Sequence, residues 1–256
     1  MESFSLVQTL QGSSLEERVA RLQELVKATP EELLETYYEK LAVSWIYHDS
    51  ALEGVVYTKD ELLAAVSDEI VSDSSLVPVY DEIRHQRDAI RLIRQLSQKK
   101  RASVTLDVIK RIYATIAPEE VEGRAPPKYR KDMPLHRLYF HEISPPEKIS
   151  YRMRQLVQWM NAADTKRSTH PVRLAAKAHF QLLHIYPFAR HSGKVARLVL
   201  NLLLLRAGYP PAILHATERQ RYYEALKTSD DAVAGLVNEA LVASVESTIR
   251  YLESLG

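Results

Sequence analysis

The amino-acid sequence predicts an all-α, mainly helical protein with a small β-hairpin flap. Apolar residues recur at helical spacing along most of its 256 residues. Two strongly apolar helical segments flank a short polar turn within residues 184–197. Only residues 138–143 contain a run of β-strand composition. The chain is therefore expected to be organised around the polar turn and the two helices that it joins.

Composition narrows the function classes. The chain is 46% apolar and 26% charged, as in ordinary globular proteins, and its formal net charge is +1. This near-neutral charge argues against nucleic-acid or membrane-surface partners. The absence of cysteine excludes disulfides and zinc–thiolate sites. Because residues 1–19 lack a signal pattern and the longest apolar run, residues 198–205, is too short to span a bilayer, we expect a cytoplasmic protein.

Helix-start patterns place the first elements. Residues 29–32, Thr-Pro-Glu-Glu, predict a capping box with proline at the first helical position, and that helix should run to about His48. Residues 58–61, Thr-Lys-Asp-Glu, predict a second capping box. A long helix is expected over residues 76–97, where four arginines should form a solvated face: Arg84, Arg87, Arg91 and Arg94.

The second half of the chain continues the helical pattern. A helix should begin after His170 and lead into the turn, and Thr217 should cap another. The last helix carries an apolar stripe from Val233 to Leu252. His179 and His184 are five residues apart, so they do not share a helix face, and we expect hydrogen-bonded packing histidines and no metal site.

The polar turn has the features of an anion site. Pro187 and Gly193 break the helical pattern, so the second helix should begin near Gly193 with its free N–H groups directed into the turn. Such an end carries partial positive charge, and Arg190, Lys194 and Arg197 add full charges. From these residues alone, an anion site and a plain helix–loop–helix corner with solvated basic residues both remain open.

The same stretch resembles the signature of the Fic (Fido) family, H-P-F-x-(D/E)-G-N-G-R-x-x-R. Four positions of architectural importance match: Pro187, Phe188, Gly193 and Arg197. The catalytic histidine of the signature is replaced by Tyr186, and its metal-binding acid by Arg190. The Gly, Asn and Arg of the anion hole are replaced by His191, Ser192 and Lys194. The departures therefore fall on the positions that carry the chemistry.

Two further segments resemble elements of the same family. Glu53 and Gly54 match its inhibitory motif, (S/T)-x-x-x-E-(G/N), in which Asp49 replaces the hydroxyl residue. The resemblance implies that Glu53 reaches an arginine of the turn and blocks the γ-phosphate site of a nucleotide. It also implies a flap over residues 129–145 that accepts a protein target by strand addition. The strand residues of this flap would be Leu138, Tyr139 and Phe140.

The resemblance extends from about residue 30 to residue 228 and suggests three parts. These are N-terminal helices with the inhibitory-type motif over residues 1–75, a Fic core over residues 76–228 with the signature at residues 184–197, and a C-terminal helix over residues 229–256 packed on the core. The sequence does not define an oligomeric state.

The resemblance implies chemistry that this chain has changed. Family members mostly transfer AMP from ATP to a target hydroxyl, with a histidine base and an acid that binds Mg²⁺. Tyr186 is a poor base because a phenol titrates near about 10, and Arg190 has no acceptor for a metal. We therefore expect an impaired regulator that binds a nucleotide such as ATP, another phosphate or a protein partner, without Mg²⁺. A transferase with rewired chemistry and a pure protein-interaction module remain alternatives.

Overall fold

A computed structural model describes residues 14–70, 73–99, 102–121, 127–134 and 141–255. Within these ranges the chain is mainly helical, as predicted, and contains no strand. The α-helices are α1 (Leu15–Ala28), α2 (Glu31–Leu52), α3 (Lys59–Val66), α4 (Val77–Ser97), α5 (Leu106–Ile116), α6 (Pro146–Asn161), α7 (Ala163–Ser168), α8 (Pro171–Ile185), α9 (Ser192–Arg206), α10 (Arg219–Thr228) and α11 (Asp230–Glu253). Three short 3-10 turns complete the described elements: Ser74–Leu76, Pro118–Glu120 and Ala216–Glu218.

Helices α8 and α9 form the centre of the molecule. They pack against each other, α4 covers α9, and α11 covers α8. Helix α9 is buried on nearly all sides, which explains why its sequence is apolar around its whole circumference. Helix α11 is long and apolar enough to cross a membrane by length and composition, but its apolar stripe is buried against α8 and α1. The turn between α8 and α9 is therefore held by two buried helices.

Of the two predicted capping boxes, one forms and the other does not. Thr58 and Glu61 form the predicted capping box of α3, with hydrogen bonds of 3.2 and 2.7 Å. Thr29 instead ends α1, because its hydroxyl and its N–H both donate to the carbonyl of Leu25. Pro30 is then the N-cap of α2 without a side-chain bond, and α2 runs four residues beyond the predicted His48, to Leu52.

Two other local predictions are also wrong. Thr217 does not cap α10, since it lies within a 3-10 turn and Glu218 precedes the helix without a side-chain cap. The arginine face of α4 is not uniformly solvated, because Arg87 is buried and its Nη1 donates to the carboxylate of Asp68 at 2.7 Å. For Arg87, the carboxylate of Asp68 supplies a contact that the local pattern omitted.

The predicted β-hairpin flap is not supported. The described parts of residues 129–145 contain no strand, and Leu138, Tyr139 and Phe140 lie outside the described residues. The backbone N–H of Arg130 donates to the carbonyl of Pro187 at 2.9 Å, and that of Ser144 to the carbonyl of His184 at 2.8 Å. These two backbone groups therefore bond to the turn and to the end of α8, respectively, rather than to each other.

Candidate functional site

Tyr186 is buried at the C-terminal end of α8. Its backbone is left-handed, with φ 48° and ψ 65°, and the residue is 3% exposed. A left-handed tyrosine is strained, so its neighbours must hold it in place. Its N–H donates to the carbonyl of Leu182 at 2.8 Å, and its carbonyl accepts a 2.7 Å bond from Nε of Arg130. The residue at the position of the catalytic histidine is thus fixed inside the protein.

Arg130 fastens the start of the turn to the preceding segments. The side chain is buried and donates to four backbone carbonyls, those of Tyr186, Asp132, Ser144 and Ile185. Buried carbonyls require such donors, because leaving them unpaired is costly. Arg130 falls within residues 129–145, where the resemblance implied a flap, and its contacts show that it positions the turn.

Ser192 closes the turn on itself. Its hydroxyl donates to the carbonyl of Phe188 and accepts from the N–H of the same residue, both at 2.8 Å. The ring of Phe188 stacks on Tyr113 of α5 with a centroid distance of 3.9 Å. The one hydroxyl proton that Ser192 can donate is therefore used within the turn and is not directed toward a ligand.

Helix α9 begins without a side-chain cap. His191 is its N-cap residue, in a left-handed conformation with φ 58°, and makes no capping hydrogen bond through its side chain. Burial lowers the pKa of His191, as do Lys194 and Arg190, while Glu53 and Glu82 oppose this change. The first N–H groups of α9 thus keep the partial positive charge that favours an anion.

Arg197 is the most enclosed cation of the site. Its side chain is 4% exposed and binds two carboxylates from α2 and the residue that follows it. Nε donates to one oxygen of Asp49, and Nη2 donates to the other at 3.1 Å. Nη2 also lies 2.7 Å from Oε1 of Glu53. Burial opposes the charged guanidinium, but Asp49 and Glu53 outweigh it and raise the pKa of Arg197.

Gly193 makes room for the carboxylate of Glu53. A Cβ atom at position 193 would lie 2.5 Å from Oε1 of Glu53 and 3.1 Å from Nη1 of Arg197. The carboxylate therefore lies over the first turn of α9, where the sequence predicted an external anion. This end of α2 is fixed by α10, because Arg219 donates to the carbonyl of Leu52 at 2.9 Å. Gly54, with φ 90°, allows the chain to turn away directly after Glu53.

Lys194 also has an internal partner. Its Nζ lies 2.8 Å from Oε1 of Glu82 on α4, and the lysine side chain is almost completely buried. Burial would raise the pKa of Glu82, but Lys194 outweighs that effect, and the pKa of Glu82 is lowered. The two buried cations of the turn thus face three carboxylates, and the cluster carries a net charge of −1.

Arg190 lies outside this cluster. Its side chain is 62% exposed, and Nη1 lies 4.0 Å from Oε1 of Glu119. The structure therefore brings together Glu53, Gly193, Lys194 and Arg197 and leaves Arg190 at the surface. Within the described part of the chain, no group of three His, Asp or Glu side chains is arranged to hold a metal ion.

The two histidines of α8 have hydrogen-bonded partners. Nε2 of His179 lies 3.0 Å from the hydroxyl of Tyr222, and Nδ1 of His184 lies 2.9 Å from the carbonyl of Phe180. His179 is completely buried, and burial lowers its pKa to about 3. These contacts are those of packing residues.

Known proteins resemble this arrangement in sequence and in fold. Residues 103–204 match the model of the Fic/DOC family, and the matched segment contains α8, the turn and all but the last two residues of α9. Curated relatives include the protein adenylyltransferase Fic of Nematostella vectensis, which is 29% identical over 189 residues. The chain belongs to the Fic/DOC family. The match covers 72% of this chain and 42% of the relative, so the chain spans about two fifths of that relative's length.

Solved structures support the fold of this Fic protein along nearly its whole length. A Fic domain containing signaling protein from Bacteroides thetaiotaomicron superposes with a TM-score of 0.80 at 24% identity, covering 94% of this chain and 98% of that one. Fic-1 from C. elegans superposes with a TM-score of 0.75 at 21% identity, covering 100% of this chain and 76% of that one. At these identities the likeness concerns the fold alone.

Sequence reasoning missed the roles of two acidic residues. Asp49 is one helical turn before Glu53, and this spacing places both carboxylates on one face of α2. That signal was present in the sequence, but it became meaningful only once Glu53 was placed against Arg197. Glu82 has no local signal, because its partner Lys194 is more than 100 residues away.

Proposed function

We propose that this Fic-fold protein is a catalytically impaired relative of the adenylyltransferases that acts as a regulator and holds a nucleotide or another phosphate-bearing ligand at the turn. The observation that supports impairment is the placement of Tyr186 and Arg190. A buried phenol is a poor general base near neutral pH, since the pKa of a phenol in water is already about 10. A guanidinium accepts no metal bond, so Arg190 cannot replace an acid that binds Mg²⁺.

The proposed ligand site is the first turn of α9. This helix end has no side-chain cap, Gly193 presents no Cβ, and Nη1 of Arg197 faces the same space. Helix N-termini with adjacent cations bind phosphates well. Glu53 now occupies that position, so a phosphate must displace its carboxylate, and binding would be coupled to movement of the segment after α2. That coupling is the basis for a regulatory role.

A second candidate is a protein-interaction module whose turn binds no small ligand. The observation that favours it is the internal pairing of both buried cations, Arg197 with Asp49 and Glu53, and Lys194 with Glu82. In this case the carboxylates are permanent structural partners, and the turn serves only to join α8 and α9.

Calorimetric titration separates these two functions. ATP and tripolyphosphate should bind weakly to the wild-type protein, on the order of 1 mM, with equal affinity in the presence and absence of Mg²⁺. Binding should weaken as salt is added. Lys194→Ala should weaken it further, whereas Arg190→Ala, at the exposed position, should change it little.

Two results would overturn the ligand-binding proposal. The first is a strict requirement for Mg²⁺, which would mean that a metal-dependent site has survived. The second is the absence of binding to the wild-type protein and to variants in which Asp49 and Glu53 have both been neutralised. The second result would leave the interaction module as the better account.

A further inference from the structure

We propose that Asp49 is the main carboxylate that holds Arg197 in an internal ion pair. Removing Glu53 alone therefore does not free this arginine for a phosphate. Asp49 is a positioning residue in this account, because it acts through Arg197. The inference rests on the proposed function, since it concerns the phosphate site at the turn. It differs from the role implied for Glu53 by the family resemblance, which assigns the control of the site to that one carboxylate.

The two carboxylates hold different parts of the guanidinium. Asp49 binds Nε and Nη2 together, which is the bidentate geometry in which arginine and a carboxylate bind most strongly. Glu53 binds Nη2 only, at 2.7 Å. Nη1 faces Gly193. Loss of Glu53 therefore leaves the bidentate pair intact and frees part of one edge of the guanidinium.

The two residues also differ in their backbone setting. Asp49 lies within the last turn of α2, so the helix fixes its direction. Glu53 follows the last helical residue and precedes Gly54, whose φ is 90°. Helix ends open more readily than helix interiors, so Glu53 is the carboxylate that can withdraw while Asp49 stays in place.

Charge determines the consequence. Asp49 and Arg197 together form a neutral pair, so a phosphate that enters after Glu53 has withdrawn meets no net charge from Arg197. Coulomb attraction in a partly buried site is strong only toward an uncompensated charge. Removal of Glu53 should therefore take away a competitor without supplying a cation, and removal of both carboxylates should supply the cation.

The test compares four proteins: the wild type, Glu53→Gly, Asp49→Ser and the double variant. Tripolyphosphate binding is measured by calorimetry. We expect Glu53→Gly to tighten binding by no more than about 3-fold and the double variant to tighten it by at least about 10-fold. Serine is chosen at position 49 because its hydroxyl still accepts a hydrogen bond from Arg197 but carries no charge.

A second readout needs no ligand. Phenylglyoxal modifies accessible arginine side chains, and peptide mass spectrometry reports the extent of modification at Arg197. We expect Arg197 to be protected in the wild type and in Glu53→Gly, and to react in the double variant. Arg190, which is exposed, provides the internal control and should react equally in all four proteins.

The outcomes distinguish the inference from the proposed function. If Glu53→Gly alone exposes Arg197 to the reagent and binds as tightly as the double variant, the inference about Asp49 is wrong and the proposed function stands. If the double variant exposes Arg197 but binds no tripolyphosphate, the inference about Asp49 stands and the proposed function is wrong.

A conservative pair guards against loss of folding in the double variant. Asp49→Asn combined with Glu53→Gln keeps the size of both side chains and one acceptor oxygen on each, and it removes both charges. Thermal denaturation is used to check that this protein is folded. This protein should show the same reactive Arg197 and the same tighter tripolyphosphate binding as the Asp49→Ser/Glu53→Gly variant. Protection of Arg197 in this folded protein, with binding no tighter than in Glu53→Gly, would overturn the inference.

Discussion

The carboxylate of Glu53 lies 2.7 Å from Nη2 of Arg197 and above Gly193 at the start of α9. The proposed phosphate site is therefore filled by a side chain of the same chain. An ion pair of this kind adds little to stability by its mere presence, but breaking it leaves a buried charge without a partner. Both the stability and the ligand affinity of this protein should therefore depend on the contacts of Arg197.

Replacement of Arg197 should be far more costly than replacement of Arg190. Arg197→Ala leaves Asp49 and Glu53 without their cation and should lower the free energy of unfolding by about 3–5 kcal/mol. Arg190→Ala is the matched control from the same turn, and its exposed side chain predicts a change within about 0.5 kcal/mol. Urea denaturation followed by circular dichroism measures both. Similar losses in the two variants would show that Arg197 is not held as described.

Replacement of Gly193 should reveal how closely Glu53 approaches. In Gly193→Ala the new methyl group would lie 2.5 Å from Oε1 of Glu53, so the carboxylate must move, at a cost of about 1–3 kcal/mol. In a Glu53→Gly background most of that cost should disappear, because the clash is gone. Gly235→Ala is the control, since a Cβ there meets no atom within 4 Å.

The Gly235→Ala control should be neutral or stabilising by up to about 1 kcal/mol, because alanine is the better helix former. Equal losses from Gly193→Ala in the wild-type and Glu53→Gly backgrounds would show that Glu53 does not lie over α9. The double-mutant comparison therefore tests the position of a single carboxylate.

The fold was predictable where the contacts are local. The capping box at Thr58 involves residues within one helical turn, and such contacts can be read directly from the sequence. Thr29 has an equally good pattern, but its hydroxyl donates to the carbonyl of Leu25 in the preceding helix and so does not cap α2. Local patterns show which contacts are available, whereas the packed chain determines which of them form.

The site was predictable only in part, for a related reason. Resemblance to the family placed Glu53 against the turn, and the structure shows it bound to Arg197. Glu82 could not be assigned, because its partner Lys194 is more than 100 positions away. Asp49 lies one helical turn before Glu53, and this spacing gained its meaning only once Glu53 was placed against Arg197. The inhibitory role of Glu53 and the ligand of the turn remain predictions.

Arg130 should control the order of the turn. Arg130→Met removes the donor to the carbonyls of Tyr186 and Ser144 and should cost about 2–4 kcal/mol of unfolding free energy. Hydrogen exchange in residues 184–190 should become faster. Lys131→Met is the matched control, because its side chain is exposed and its loss leaves no buried carbonyl unpaired. If exchange in the turn is unchanged in Arg130→Met, Arg130 does not hold the turn.

His179 should make the protein sensitive to acid. Burial lowers the pKa of His179 from 6.5 to about 3, so between these values the unfolded chain binds a proton that the folded chain excludes. The neutral His179 therefore makes its full contribution to the free energy of unfolding above pH 6.5, and this contribution is lost as the pH falls toward 3. At about pH 4 the loss should be about 3 kcal/mol.

The variant His179→Gln isolates this effect. As the pH falls from 6.5 toward 3, the free energy of unfolding of the wild type should decrease more than that of the variant. His170→Gln is the surface control, and its side chain is half exposed. Parallel pH profiles for the wild type and His179→Gln would show that His179 is not excluded from protonation in the folded protein.

We propose that AMP transfer is lost because of Tyr186 and Arg190. The most direct measurement incubates purified protein with cell lysate, Mg²⁺ and ATP carrying a radiolabelled α-phosphate. The wild type, Glu53→Gly and the double variant Asp49→Ser/Glu53→Gly are compared, so that neither carboxylate can mask activity. We predict that none of the three labels itself or any lysate protein. A labelled band that appears in any of these proteins and disappears when Tyr186→Phe is added would contradict the account and favour an enzyme with rewired chemistry.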